Sequence, residues 1–100
     1  MRLIYTPCSS KEEAKTIASS LLEQKLIACA NIIPNIQSLY IWEGELRDEE
    51  EFILLSKCKE KHAQEVERKI EEMHSYECPC ILQFSPQEVN PLFAKYIDNS

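Results

Sequence analysis

The sequence has little glycine and no strongly basic segment. Gly44 is the only glycine among 100 residues, and one glycine cannot build the glycine-rich loops that hold phosphates in nucleotide-binding proteins. The chain has 11 basic and 17 acidic residues, for a formal net charge of -6, so the phosphate backbone of nucleic acid is not an expected partner. No apolar run approaches the roughly 20 residues that span a bilayer. The composition therefore argues against nucleic-acid binding and against membrane insertion.

The composition is typical of one globular domain covering residues 1–100. Hydrophobic residues make up 44% of the chain and charged residues 28%, which separates it from disordered sequences. The segment Met1–Ser9 has one basic residue and then turns polar, unlike a secretory signal. Five cysteines without an export signal indicate free thiols in a reducing compartment. We expect a cytoplasmic protein.

The first two elements are a strand and an amphipathic helix. Arg2–Cys8 contains an apolar run that predicts a short buried strand. Ser9 and Ser10 are each followed three residues later by a glutamate, Glu12 and Glu13, which makes two overlapping candidates for a capping box. Apolar residues then recur at helical spacing, namely Ala14, Ile17, Ala18, Leu21 and Leu22.

The middle of the chain predicts a long antiparallel hairpin. Residues 26–42 are rich in β-branched and aromatic side chains, and Phe52–Leu55 form a returning apolar run. Pro34 cannot donate to a strand ladder, so a bulge or an edge is expected there. The acidic stretch Glu43–Glu51 is predicted to be the turn region, with Gly44 near the tip.

The last third predicts a helix, a short strand and a closing helix. Helical spacing returns over Glu60–His74, Ile81–Phe84 reads as a strand, and Asn90-Pro91 is a cap and first-position pair. The order strand, helix, strand, strand, helix, strand is the ferredoxin-like βαββαβ plan, here with an extra C-terminal helix. The fold class is therefore predicted to be α+β.

Three segments together resemble the CutA family, the divalent-cation tolerance proteins. They are Ala28–Leu46 (ACANIIPNIQSLYIWEGEL), the strand ending in Lys57, and His74–Ile81 (HSYECPCI). The resemblance implies a ferredoxin-like homotrimer in which the long hairpins bring the subunits together, similar in architecture to the trimeric PII signalling proteins. It also implies a non-enzymatic role in tolerance of, or response to, divalent cations such as copper.

The chain departs from the family pattern at three positions. Ser75 stands where the family usually has proline, Cys80 where it usually has glutamate, and Cys58 where it favours threonine. A carboxylate at position 80 is therefore lost, and the thiol that replaces it favours softer metals.

The candidate metal ligands are Cys29, His74, Cys78 and Cys80. The resemblance implies that Cys29 is the shared cysteine linked with copper, and thiolate suits Cu(I); the alternative is a small buried thiol in a central strand. His74 is predicted at a helix C-terminus, which favours its charged form, and either caps the helix or binds metal. Cys78 and Cys80 would share one face of a strand, as two soft ligands, a strained disulfide or packing thiols.

The candidate groove or interface residues are Tyr40, Trp42, Lys57, Tyr76 and Glu77. Aromatic side chains here could line a cleft, together with Phe84, or anchor a subunit interface, where Tyr and Trp are enriched. The acidic residues 48–51 lack the alternating ligands and glycine of a calcium loop, so we expect a solvated hairpin tip.

Two functions of different classes follow. The first is a trimer that takes up soft metal through Cys29 and His74, with Cys78 or Cys80 assisting. The second is a PII-like regulatory scaffold that binds a small anion or metabolite in a groove between subunits. An enzyme is not expected, because no oxyanion motif accompanies the cysteines and histidines.

Overall fold

The computed structural model describes residues 1–100 as a four-stranded antiparallel sheet with three α-helices. In chain order the elements are β1 (Arg2–Cys8), α1 (Lys11–Glu23), β2 (Cys29–Trp42), β3 (Glu45–Cys58), a 3₁₀ turn (Glu60–His62), α2 (Ala63–Met73), β4 (Leu82–Phe84) and α3 (Pro91–Asp98). None of these helices combines the length and the apolar character needed to cross a bilayer. The predicted order of elements is confirmed.

The strands lie in the order β2-β3-β1-β4, and each neighbouring pair is antiparallel. Consequently β1 and β2 run in the same direction with β3 between them, and β3 and β4 run in the same direction with β1 between them. Each of these parallel pairs is connected through a helix, so the fold contains two interleaved split βαβ units. The two sheet edges are β2 and the three-residue β4.

The hydrophobic core lies between one face of the sheet and helices α1 and α2. Strand β1 alternates, so that Ile4, Thr6 and Cys8 are fully buried on this face. The core cluster consists of 13 buried residues, Ile4, Cys8, Ala14, Ile17, Ala18, Leu21, Leu26, Ile27, Leu54, Cys58, Ala63, Val66 and Ile70. Four of the five apolar residues predicted for α1, Ala14, Ile17, Ala18 and Leu21, form its buried stripe, whereas Leu22 is 42% exposed.

Helix α1 begins at the N-cap Ser10, and the returning hydrogen bond of the predicted capping box reaches Ser9, one residue before the cap. The Ser10 hydroxyl accepts a hydrogen bond from the Glu13 backbone N–H at 3.0 Å. The Glu13 carboxylate in turn accepts from the Ser9 backbone N–H at 2.9 Å. Of the two overlapping candidates, only this one provides the N-cap.

The hairpin of β2 and β3 pairs two strands of 14 residues each, in a molecule 46 Å long. Its register shifts between Ile33 and Ile36, and Asn35 has a φ of 57°. This irregularity confirms the bulge predicted at Pro34, since proline cannot continue the ladder.

The prediction that Glu43–Glu51 is a turn region is wrong. The chain reverses in two residues, Glu43 (φ 50°) and Gly44 (φ 80°), because both adopt the positive φ that tight hairpin turns require. The acidic residues from Asp48 onward are part of β3, where Asp48 pairs with Leu39 and Glu51 with Ile36. Their backbones are paired while most of their side chains stay exposed, so the acidic character did not mark a tip.

The second helical region is shorter than predicted. Residues 60–62 form a 3₁₀ turn, α2 ends at Met73, and His74 has extended backbone with a ψ of 141°. Asn90 occupies the cap position of α3, but its side chain makes no capping hydrogen bond. The chain that leaves α2 therefore turns away at His74 and runs irregularly until β4.

Candidate functional site

A cavity of about 610 Å³ lies between the hairpin and the irregular segment after α2. The hairpin contributes Tyr40, Trp42, Arg47, Glu49 and Glu51, and the segment after α2 contributes Ser75, Tyr76, Glu77, Cys78 and Cys80, with Pro7 between them. Residues distant in sequence thus meet beyond the end of β1, because β1 pairs with β3 only over residues 52–58, and the cavity residues of β3 precede that stretch.

Strand alternation places the hairpin residues on one face. Tyr40 pairs with Arg47 and Trp42 with Glu45, and residues two apart in a strand point the same way. Arg47, Glu49 and Glu51 therefore share a face with the two aromatic residues. Leu39, Ile41 and Leu46 lie on the opposite face of the same hairpin.

The segment after α2 is held in place by the ring of His74. The Nε2 atom of His74 lies 2.8 Å from the Pro7 carbonyl oxygen, and Nδ1 accepts the Tyr76 backbone N–H at 3.1 Å. Since Nδ1 accepts, these contacts assign the neutral tautomer with its proton on Nε2. The ring does not cap α2, as one sequence interpretation proposed; the His74 backbone N–H closes that helix by donating to Ile70.

A second anchor of this segment is the Glu13 carboxylate. Its Oε2 accepts the Ser75 backbone N–H at 2.8 Å, while Oε1 accepts from Ser9. Burial alone would raise the pKa of the Glu13 carboxyl, but the hydrogen bonds from Ser75 and Ser9 outweigh that effect and lower the pKa to about 2. Glu13 therefore stays ionised and connects the start of α1 to the cavity segment.

Cys8, Glu13 and His74 form a compact group whose potential ligand atoms all lie within 4.8 Å of one another. Burial, followed by the charges of Glu13 and Glu51, raises the pKa of the Cys8 thiol to about 12. The thiol keeps its proton and donates to the Thr6 carbonyl oxygen at 3.7 Å. Because both nitrogens of His74 are also engaged, metal binding here would first have to break hydrogen bonds already made.

The cavity carboxylates accept hydrogen bonds from phenols. The Tyr76 hydroxyl donates to Glu51 Oε2 at 2.6 Å, and the Tyr40 hydroxyl donates to Glu49. Burial and the hydrogen bond to Glu51 raise the pKa of Tyr76, and the hydrogen bond to Glu49 raises that of Tyr40. Both phenols therefore stay neutral. The Ser38 hydroxyl donates to the other oxygen of Glu51.

Cys78 and Cys80 are free, exposed and on the cavity lining. They precede β4 and are not in a strand, so the expectation that strand geometry aligns them is wrong. The packing interpretation is also wrong, since neither thiol is buried. The irregular backbone at Glu77–Cys80 exposes them, because no ladder or core contact covers this stretch.

Cys29 and Lys57 lie elsewhere. They face each other across β2 and β3, where Cys29 is half-buried and the Lys57 Nζ atom donates to the Asn31 side chain. Neither lines the cavity, nor does Phe84 on β4. Of the groove candidates, Tyr40, Trp42, Tyr76 and Glu77 come together.

Sequence reasoning missed several residues of this region, namely Cys8, Glu13, Arg47, Glu49 and Glu51. The signal for the last three was their spacing of two, which places them on one strand face once β3 is extended through the acidic stretch. From the sequence, Glu13 is recognisable only as a capping residue. Nothing local in the sequence indicated that its second oxygen would reach Ser75.

The fold and the cavity define a small α+β protein with an extended hairpin and a cavity of mixed polar and aromatic lining along one face of that hairpin. The model of the family described as CutA1 divalent ion tolerance protein matches residues 2–100. The chain belongs to this family.

Individual relatives agree with that assignment. The chain is 39% identical over 97 residues to the divalent-cation tolerance protein CutA of Archaeoglobus fulgidus, covering 97% of this chain and 94% of that protein. It is 32% identical to a Xenopus laevis protein CutA homolog, of which it spans only 62% while 93% of this chain is covered. Its fold matches the crystal structure of the divalent ion tolerance protein CutA1 from Ehrlichia chaffeensis with a TM-score of 0.95 and 37% identity, covering 98% and 92% of the two chains.

Proposed function

We propose that this protein contributes to metal tolerance by binding a soft metal ion, copper as Cu(I), at Cys78 and Cys80, without catalysing a reaction. The observation that carries the proposal is the pair of free, exposed thiols on one cavity. Thiolates are the protein ligands that Cu(I) prefers. We place this activity in the cytoplasm, where thiols stay reduced.

The two thiols are the soft donors of this cavity, whereas the carboxylate of Glu77 is a hard donor. Glu77 lies between the thiols and the anchored residue Tyr76 and also lines the cavity. His74 serves as a positioning residue, since both of its nitrogens hold neighbouring backbone groups. Cys29 is absent from the cavity lining, so it is the natural internal control for the cavity thiols.

The test measures Cu(I) bound by the reduced protein in competition with a Cu(I)-specific chelator. We expect the double variant Cys78→Ser, Cys80→Ser to lose the chelator-resistant copper. The variant Cys29→Ser should retain it, because that thiol lies outside the cavity.

Unchanged copper stoichiometry in the double variant would remove the assignment. If only Cys29→Ser loses copper, the copper site lies at Cys29 in the β2–β3 pair. Far-ultraviolet circular dichroism of each variant separates loss of binding from loss of fold.

We also propose that the chain is a ferredoxin-like homotrimer joined through its hairpins. Support comes from apolar side chains on the hairpin face away from the cavity: Leu39, Ile41 and Leu46 are 65%, 66% and 70% exposed. Exposed apolar surface of this kind is typical of association sites. Trimer formation would also cover the edge strands β2 and β4, whose outer backbone N–H and C=O groups have no partner strand within the chain.

Sedimentation at micromolar concentration tests the assembly. A mass three times that of the 11.6 kDa chain is expected, and Ile41→Glu should dissociate it. Glu50→Lys, which changes an exposed polar side chain on the same face, provides the matched control. A monomeric wild-type protein contradicts the proposal.

A second candidate function is a PII-like regulatory scaffold that binds a small molecule. The cavity volume favours it, because ligand pockets of about 300–1,000 Å³ accommodate small molecules. A thermal-shift comparison of Cu(I) with anionic metabolites distinguishes the two functions, since a bound ligand stabilises the folded state by mass action.

A further inference from the structure

We propose that the cavity binds an organic ammonium cation between the aromatic side chains of Tyr40, Trp42 and Tyr76 and the carboxylates of Glu49 and Glu51. This inference is separate from metal binding, since it uses none of the thiols. A protein that loses Cys78 and Cys80 keeps all five of these side chains.

The first argument is the aromatic lining. Tyr40 and Trp42 lie two apart on one strand face, and Tyr76 approaches from the segment after α2. Both hairpin rings remain substantially exposed to solvent, so they are free to contact a ligand. Aromatic rings attract cations through their negative faces, and groups of such rings recognise quaternary ammonium ligands.

The second argument is an uncompensated negative charge. The cavity contains Glu49, Glu51 and Glu77 against the single cation Arg47. The ion pairs of the structure all lie elsewhere, at Arg2–Glu60, Arg68–Glu65 and Arg68–Glu72. The cavity therefore has a formal charge of -2, and none of its three carboxylates forms a salt bridge.

The third argument is the hydrogen bonding of the Glu51 carboxylate. It is half-buried, and its two oxygens accept hydrogen bonds from neutral hydroxyls, those of Ser38 and Tyr76. Neutral donors hold a carboxylate in place without cancelling its charge, and each oxygen retains further acceptor capacity. Glu51 is thus a fixed negative charge at the inner wall of the cavity.

The dimensions and charges select the class of ligand. A cavity of about 610 Å³ is much larger than a bare metal ion needs, and a hard divalent cation prefers a shell of six or more oxygens. Anionic metabolites would meet three carboxylates and one guanidinium. An organic cation can make cation–π contacts with the aromatic rings and is attracted to the carboxylates.

Trp42 is the only tryptophan, so its fluorescence reports directly from the site. The probe is choline, compared with its uncharged isostere 3,3-dimethylbutan-1-ol and with inorganic phosphate, with calorimetry as the second measurement. We expect choline to change the Trp42 emission saturably and to bind at least about tenfold more tightly than the isostere.

Glu49→Gln should weaken choline binding about threefold, in keeping with one partly exposed charge pair. Glu50→Gln is the matched control, because Glu50 is the next residue and lies on the opposite strand face. The Glu50→Gln variant should bind choline with the same affinity as the wild type. Tyr40→Leu should weaken choline binding by about threefold or more through loss of a ring.

Equal affinity for choline and its uncharged isostere would overturn the proposal, as would equal weakening by Glu49→Gln and Glu50→Gln. Saturable binding of phosphate without binding of choline would assign the cavity to anions. Repeating the titration on the Cys78→Ser, Cys80→Ser variant keeps the result independent of metal binding: retained choline affinity supports the ammonium site.

Discussion

Two neighbouring clusters of side chains lie beside the segment that follows α2, and they are built from similar chemical groups. The buried group has a thiol, a carboxylate and an imidazole, in Cys8, Glu13 and His74. The open cavity beside it has thiols, carboxylates and phenols, including Cys78 and Glu51. The hydrogen bonds of the first cluster occupy its own polar groups, whereas the second exposes its thiols and has three carboxylates against the single cation Arg47.

The difference shows that burial and hydrogen bonding, rather than residue type, decide which cluster is available for chemistry. The Cys8 thiol is held protonated by burial and nearby negative charge, while Cys78 and Cys80 lie at the surface. The buried cluster positions the open one, because His74 and Glu13 hold the backbone of Ser75 and Tyr76.

The largest expected effect is on thiol reactivity. Raising the pKa of Cys8 from 9.0 to about 12 lowers its thiolate population about a thousandfold, and burial slows attack further. Alkylation of the native protein should therefore label Cys78 and Cys80 far faster than Cys8, as read by mass spectrometry.

Denatured protein supplies the reference, since all five thiols should then react at similar rates. Labelling of native Cys8 as fast as Cys78 would mean that the two clusters do not differ in the way described.

The next effect concerns the link between the clusters. Glu13→Gln should destabilise the fold by about 2 kcal/mol, because the charge-assisted hydrogen bonds to Ser9 and Ser75 weaken. Glu12→Gln changes an exposed residue in the same turn and should cost less than about 0.5 kcal/mol. Urea denaturation followed by circular dichroism compares the two, and equal losses would contradict the role given to Glu13.

The same link has a defined pH dependence. The folded-state pKa of Glu13, about 2, lies below its ordinary value of 4.5, so its contribution is present above about pH 4.5 and disappears as the pH falls towards 2. The stability difference between wild type and Glu13→Gln should shrink over that interval. Denaturation curves between pH 6 and pH 2 measure it, and a constant difference would exclude Glu13 as its source.

The smallest expected effect is the loss of stability on removing a hydrogen bond inside the open cavity. Tyr76→Phe removes the hydroxyl that donates to Glu51 at 2.6 Å and should cost about 1 kcal/mol. Tyr96→Phe removes a weaker, exposed hydrogen bond of 3.4 Å to the Ala28 carbonyl oxygen and should cost less. Thermal unfolding ranks the two variants, and the opposite order would contradict the account of Glu51.

Local patterns predicted several features because their causes are local. The N-cap Ser10 fixes the start of α1, and the bulge follows from the missing N–H of Pro34. The acidic start of β3 was misread because Asp and Glu are uncommon in strands. Pairing with β2 overrides that tendency, since the side chains of this extended hairpin stay in water.

The functional residues were harder to predict. Tyr40 and Trp42 were identified as a pair, but their meeting with Tyr76 depends on how the segment after α2 returns across the sheet. The sequence also could not separate Cys29, at the start of β2, from Cys8, beside His74. A spacing of 45 residues or 66 residues says nothing about which thiol lies near an imidazole.

By itself, the sequence determined the order of elements, the amphipathic helices, the bulge and the family, because each rests on periodicity, capping or a contiguous motif. Only the tertiary structure decided that His74 and Glu13 are anchors, that Cys8 is closed off, and that aromatic rings, carboxylates and two thiols share one cavity. The physical reason is that burial and charge balance at a site depend on groups supplied by distant segments, and those groups become neighbours only when the sheet and helices have packed.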